Sequence, residues 1–327
     1  MNDQSAFFNE SEYLDLYPDV AAAVQSGIFS SGWEHYQKFG KSEGRLPSKG
    51  FSREKAVFHL IDKNGLGLEI GPSHNPLAPK REGYNVHIVD YLSADGLRAK
   101  YSGHTGINIE NIEEVDYVWK GGSLEELIGK TEYYDYIIAS HVIEHIPNPI
   151  LFLQSCCRLL KPTGILSLVI PDKRYCFDYF TPITTTGMWI DAWRQNRSKP
   201  TSGQIFDHFA YASKRADQIA WGNDKKGGAD SFIHSIEMAK RLWEAASSVT
   251  EEYIDVHCWR FTPASFRLIL SDLNYLGLLN LAILAELDTI GCEFYVSLGR
   301  QGHLGSQAEN NDRLSLLQAV LVENNAR

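Results

Sequence analysis

The stretch Gly65-Leu-Gly-Leu-Glu69-Ile-Gly71-Pro72 decides how this chain is read. Its apolar run, Leu66 to Ile70, stops abruptly at Glu69, Gly71 and Pro72. A strand that closes on a carboxylate and a glycine suits the edge of a parallel sheet that receives a ligand. A second run, Asn85-Val-His-Ile-Val-Asp90, also ends on an acid. Gly71 and Asp90 are 19 residues apart, near the roughly 20 expected between a glycine turn and the acid that grips a ribose.

Working outward, Tyr134-Asp-Tyr-Ile-Ile-Ala-Ser140 has the composition of a buried strand and runs into His141-Val-Ile-Glu144-His145. A helical stretch, Leu151 to Leu160, follows, then the turn Lys161-Pro-Thr-Gly164 and a strand, Ile165 to Ile170, closing on Pro171-Asp172. Taken together these motifs resemble the class I S-adenosylmethionine-dependent methyltransferases, in particular the broad type 11 group. The likeness covers about Gly65 to Arg300, and its specific motifs lie between Gly65 and Asp172.

The resemblance implies an α/β fold, a seven-stranded Rossmann-like sheet in the order 3-2-1-4-5-7-6. It also implies S-adenosyl-L-methionine as cofactor. Carried over position by position, it puts the ribose hydroxyls on Asp90 and the ordering of the methionine-end loop on Glu69. Gly71, Pro72, Ser73 and Tyr91 complete the expected contacts around these two strand ends. Gly122, Ser123 and Leu124 would lie under the adenine, and Ser140 and His141 beside the methyl. Two departures from the family pattern stand out. Pro72 replaces a backbone donor in the loop, which reads Gly71-Pro-Ser-His-Asn-Pro76. Lys120 stands where many relatives carry an acid, leaving Ser123 or Glu125 for the adenine amine.

Length and charge narrow the setting. The 327 residues suffice for one large α/β domain with a small appendage. With 41 acids against 31 bases, the net charge of −10 argues against a nucleic-acid backbone as partner. No stretch reads as a signal peptide or membrane span, and five cysteines without C-x-x-C spacing suit free thiols in a reducing compartment. The expectation is a cytoplasmic protein.

Three units are expected: a helical module over 1–50, the methyltransferase domain over 51–300, and a polar tail over 301–327. In the first, Tyr13, Leu14, Tyr17, Val20, Ala21 and Val24 share a helical face entered at Pro18 and stopped by Gly27. Ser31 caps a second helix bearing Trp33, Tyr36 and Phe39 and ended by Gly40. This stretch resembles an add-on module of bacterial glycosyltransferases and related envelope-polysaccharide proteins. That likeness implies a sugar or polysaccharide acceptor and glycosyltransferase machinery as a partner. The 84 residues from Lys173 to Val256 are too many for a simple connection and read as an aromatic-rich helical insert over the acceptor. Phe51 to Asn64 is expected as one helix, Ser93 to Glu114 as a polar connection, and Tyr117-Val-Trp119 as the third strand. Thr262-Pro263 opens a helix to Tyr275, and a hairpin of Leu278–Leu287 and Cys292–Leu298 closes the domain through a tight Asp-Thr-Ile-Gly turn.

Transfer to a hydroxyl needs alignment and a group to take the proton, for which imidazole suits neutral pH. His141, His208 and His257 are the candidates, with His141 first because strand order alone places it. His141-x-x-Glu144-His145 also matches the spelling of some zinc peptidases. It begins at a strand end and Pro147 follows at once, so the two histidines have no helix to present them, and no metal site is expected. Two other functional classes fit the same residues. One is a methyltransferase-like binding or assembly protein without catalysis. The other is a nicotinamide oxidoreductase, although no G-x-G-x-x-G is present.

Overall fold

The computed structural model describes residues 7–41, 43–222, 228–248, 254–300 and 310–325. Five parallel strands come first: β1 (Gly67–Ile70), β2 (Val86–Asp90), β3 (Tyr117–Val118), β4 (Tyr134–Ser140) and β5 (Leu160–Pro171). A C-terminal hairpin, β6 (Leu281–Ile290) and β7 (Glu293–Arg300), adds the last two, β7 lying antiparallel to β5. The order across the sheet is β3-β2-β1-β4-β5-β7-β6. This is the expected topology, with the antiparallel hairpin at the expected edge.

Side chains alternate between the two faces of the sheet, as a period of two requires. Ile137, Ala139, Leu166, Leu168, Phe294 and Val296 point to one core, which also holds Phe152, Trp189 and Phe266. Tyr136, Ile138, Val169 and Tyr295 point to the other, closed by Ala56, Val57 and Phe58. The larger core is capped by three helices, α7 (Pro149–Leu159), α8 (Thr186–Arg194) and α11 (Pro263–Tyr275). α7 begins where Asn148 caps the Leu151 amide and Pro149 takes the first turn. Thr262 caps α11 reciprocally with Ser265, so that helix starts and ends as expected.

Several local expectations are corrected. Pro18 holds Tyr17 out of the helical region (φ −126°, ψ 82°), so the first helical face is split between α1 (Glu10–Leu16) and α2 (Pro18–Gln25). Tyr13, Val20 and Tyr36 nevertheless form one small core. The helix after the linker, α4 (Arg53–Val57), has five residues, because the Asp62 side chain accepts the Asn64 amide and turns the chain. Ser93 to Glu114 is not a bare connection: Ser93 caps α5 (Ala94–Tyr101). Lys161-Pro-Thr-Gly164 lies inside the continuous strand β5, opposite an irregularity between Tyr134 and Tyr136. The last hairpin turns at Gly291-Cys292, where Gly291 takes φ +65°, and Asp288 to Ile290 stay in the strand.

The insert contains α8, α9 (Ser202–Tyr211), α10 (Ile236–Ser248) and a two-stranded ribbon of Ser213–Arg215 with Asp230–Phe232. Beyond the sheet, α12 (Asn310–Asn325) docks on α11, where Glu323 accepts the Ala264 amide and Arg313 pairs with Asp272. The tail helix is thus held in place. The N-terminal unit touches the β6–β7 hairpin through a Lys41–Asp288 ion pair. Among the described residues, no helix is long and apolar enough to cross a membrane.

Candidate active site

A cavity of about 650 Å³ opens at the C-terminal ends of β1 to β4. In an open parallel sheet the strand order reverses here, between β1 and β4, and the crevice outside the strand ends is where ligands bind. Gly71 and Ser73 line it from β1, Asp90 and Tyr91 from β2, Gly122 from the β3 turn, and Ser140 and His141 from β4. The spacing of acids and glycines in the sequence therefore converges on one place.

Asp90 is 2 % exposed and accepts the Ser73 amide at 2.9 Å and the Tyr91 amide at 2.8 Å. Burial raises its pKa, and the two amides oppose that rise. Ser73 itself has φ +52°, and His141 has φ +54°. Left-handed backbone at two non-glycine residues costs on the order of 1 kcal/mol each, and such strain concentrates at functional sites. The Ser73 hydroxyl and His74 Nδ1 are buried, with no hydrogen-bond partner among the described residues. Both belong to residues that line the cavity. At Gly121 and Gly122 (φ +101° and +84°) an added Cβ would meet nothing within 4 Å, and Trp119 Nε1 donates to the Gly122 carbonyl. That turn leaves room for a flat ring against its backbone.

Four expected contacts lie elsewhere. Glu69 does not line the cavity. It accepts the Leu77 and Ala78 amides at 2.6 and 3.0 Å, thereby tying down the loop after β1. Burial lifts its pKa to about 7 against those two amides. Pro72 is in the loop but outside the cavity wall. Ser123 is the cap of α6 (Leu124–Ile128), accepting from Glu126, and Leu124 is fully buried beneath it. Glu125 is paired with Arg158 through Oε1 and lies outside the cavity wall. Lys120 does line the cavity, donating to the Tyr91 carbonyl at 2.7 Å.

Of the three candidate bases, only His141 lines the cavity. Its Nε2 is 2.7 Å from Glu293 on β7, and its Nδ1 is 3.6 Å from Glu144. Glu293 is in turn held by Arg53 at 2.7 Å and by the Tyr295 hydroxyl at 2.6 Å. Arg53 also donates to Ser140 at 2.7 Å. Burial alone would lower the His141 pKa, but the Glu293 and Glu144 carboxylates outweigh it and raise it. His208 accepts the His257 amide on Nδ1, and burial with the neighbouring His257 lowers its pKa to about 3. It is a neutral structural imidazole. His257 packs behind His145, with its Nδ1 2.5 Å from Asp178.

Sequence reasoning missed Glu293, which meets His141 from 152 positions away, and the Arg53 and Tyr295 side chains that hold it. It also missed Tyr101 on α5, and Arg197 and Lys199 between α8 and α9, which line the cavity. Only the Ser93 cap hinted at α5, and no sequence signal marked the others.

Residues 52–275 match the family model described as a methyltransferase domain. The chain belongs to that family of S-adenosylmethionine-dependent methyltransferases, and its cofactor is S-adenosylmethionine. Among curated relatives, the human mitochondrial ubiquinone biosynthesis O-methyltransferase is 30 % identical over 126 residues, 32 % of this chain and 33 % of that protein. The ubiquinone biosynthesis O-methyltransferase of Glaesserella parasuis is 37 % identical over 118 residues, 33 % of this chain and 48 % of that protein. The chain thus spans a third to a half of the length of these relatives. A solved structure, the CcbJ methyltransferase from Streptomyces caelestis, aligns over 76 % of this chain and 89 % of that one, with 13 % identity and a TM-score of 0.39.

The residues present fit the cofactor. A buried carboxylate at the end of β2, unpartnered Ser73 and His74 groups, and the open Gly121-Gly122 turn all belong to one cavity wall. The volume falls within the range of about 300–1,000 Å³ usual for small-molecule sites.

Proposed function

We propose that this protein methylates a hydroxyl group, with Asp90 holding the cofactor's ribose and His141 taking the hydroxyl proton. One observation carries the reading: Asp90 and His141 face the same cavity from strand ends on either side of β1. When bound, the cofactor supplies an electrophilic methyl on a sulfonium whose departure leaves a neutral thioether. The protein's own contribution is alignment and proton transfer. With Nε2–H donated to Glu293, the His141 Nδ1, 3.6 Å from Glu144, is the nitrogen left to take the acceptor's proton. Arg53 and Tyr295 fix Glu293, so the imidazole is oriented by a third group, as an active-site base requires.

For the acceptor we infer a sugar or polysaccharide-related hydroxyl, carried on a molecule with a phosphate or carboxylate. The N-terminal unit's likeness to glycosyltransferase add-ons supports the sugar, and Arg197 and Lys199 on the cavity wall support the negative charge. The same likeness makes glycosyltransferase machinery the proposed partner of residues 1–50, in the cytoplasm. A phenolic hydroxyl of a quinone precursor is the second reading, favoured by the likeness to ubiquinone biosynthesis O-methyltransferases.

The test combines calorimetry with transfer of labelled methyl in extracts of a deletion strain. Micromolar binding of S-adenosylmethionine and label in surface glycans are the expected results. Label in lipid quinones instead would move the acceptor to the second reading. His141→Ala should bind cofactor within a few fold of wild type while transfer falls by about 10²–10⁴. Cofactor binding without transfer to any cellular fraction would favour the non-catalytic binding protein, and tight NAD binding the oxidoreductase.

A further inference from the structure

Behind the cavity wall lies a polar cluster that methyl transfer, as described above, does not use. Glu144 is fully buried, yet neither carboxylate oxygen has a hydrogen-bond partner among the described residues. A bare carboxylate removed from water is costly unless a cation or several donors compensate it. Three imidazoles approach it, of which His141, with Nδ1 3.6 Å away, is already held at Nε2 by Glu293. His145 Nε2 lies 4.0 Å from Glu144 Oε1, and the donor atoms of Glu144, His145 and His257 all lie within 4.8 Å of one another.

His145 and His257 are each turned toward an aspartate. His145 Nδ1 is 3.3 Å from Asp255, and His257 Nδ1 is 2.5 Å from Asp178, which Arg260 holds from its other oxygen at 3.0 Å. His257 Nδ1 is thus hydrogen-bonded to its aspartate, His145 Nδ1 faces Asp255 without a hydrogen bond, and each ring leaves Nε2 as a ligand atom. A histidine whose far nitrogen is bound to a carboxylate is the usual arrangement of a metal ligand, because the carboxylate fixes the tautomer and raises the basicity of the donor.

The backbone makes the cluster rigid. The Glu144 carbonyl accepts the Cys258 and Trp259 amides at 2.7 and 3.1 Å, and Trp259 Nε1 donates to the Ile146 carbonyl at 2.6 Å. His257 is therefore stitched to the turn that carries Glu144 and His145, although 113 positions separate Glu144 from His257 along the chain.

From these contacts we propose that Glu144, His145 and His257 bind a divalent transition-metal ion. Two imidazoles and one carboxylate suit Zn²⁺ with an open position, and Co²⁺ can report on such a site. Ligands about 2.0–2.2 Å from one ion sit about 3.3 Å from each other, so the side chains close by roughly an ångström on binding. His145 also lines the cofactor cavity, which puts the ion beside the bound reactants as a Lewis acid. The zinc-peptidase spelling was set aside because no helix presents His141 with His145; in this cluster the second imidazole is His257.

The proposal stands apart from the methyl-transfer reading, and its test needs no turnover. The full chain, stripped with a chelator and dialysed, is titrated with Zn²⁺ alone and with Co²⁺ alone. Binding of one equivalent per chain, with visible Co²⁺ bands of a four- or five-coordinate site, is expected. Glu144→Gln and His257→Ala should each weaken binding by on the order of 10²-fold or more, and Asp178→Asn by about 10–100-fold. His104→Ala, a change of an exposed histidine outside the cluster, should leave binding unchanged. Failure of folded wild-type protein to retain a stoichiometric ion would overturn the proposal without any variant. So would binding that survives both Glu144→Gln and His257→Ala.

Discussion

The two walls of the cavity are built by opposite means. The wall from β1 to β3 uses strand ends, backbone amides and glycine turns, so its parts lie within about fifty residues of one another. The facing wall takes Arg197 and Lys199 from the insert, Asp255 from the segment before α11, and His145 from the end of β4. It is held by charge: buried Asp178 bridges His257 and Arg260, and the exposed Asp255 bridges His145 and Lys100. The first wall can be specified by local spacing. The second exists only after distant segments have packed, which ties its geometry to the stability of the whole domain.

The largest effect that would break this contrast is on Asp178. Although burial opposes it, the neighbouring His257 and Arg260 hold its carboxyl well below the ordinary range. Asp178→Ala leaves Arg260 buried without its partner, and such losses cost about 3–5 kcal/mol. Urea unfolding should show that drop, while calorimetry on protein that remains folded should find cofactor affinity within a few fold. A hundredfold loss of cofactor affinity in that variant would mean that the walls are not separable.

Next in size is the converse change. Asp90→Ala removes the carboxylate expected to meet the ribose and should weaken cofactor binding by about 2–3 kcal/mol, close to a hundredfold. Metal titration should be unaffected by it, because Asp90 lies in the opposite wall.

Glu69 gives the smallest and sharpest test. Its folded pKa is about 7 against an ordinary 4.5, so the folded chain keeps a proton that the unfolded chain releases between those values. Stability therefore falls as pH rises from about 4.5 to about 7 and stays at the lower level above it. Glu69→Gln cannot titrate, and its urea midpoint should gain on wild type through that window. Parallel pH profiles for the two proteins would show that Glu69 is not the buried acid responsible.

Much of this was legible in the chain. The strands ending at Glu69, Asp90 and Ser140 declared themselves because a buried parallel strand must be apolar and its ligand-bearing end must not be. Thr262-Pro263 announced α11 for a similarly local reason, since a cap and a first-turn proline act within one turn. The helix over Ala94–Tyr101 escaped notice because it buries only Ala94 and Leu97 and so has almost no apolar periodicity.

Sequence alone determined that strands close near Glu69, Asp90 and Ser140, because strand periodicity and turn chemistry are properties of neighbouring residues. The sheet order and the class of cofactor were implied by the resemblance those motifs carry. Only the tertiary structure decided that Glu293 orients His141, that His208 is structural, and that His257 completes a cluster with Glu144 and His145. Those relations join side chains more than a hundred positions apart, or depend on which nitrogen of a ring meets a carboxylate. No local pattern encodes them. They follow from the register that sets β7 beside β5, and from the backbone bonds that lay residues 256–261 against the end of β4.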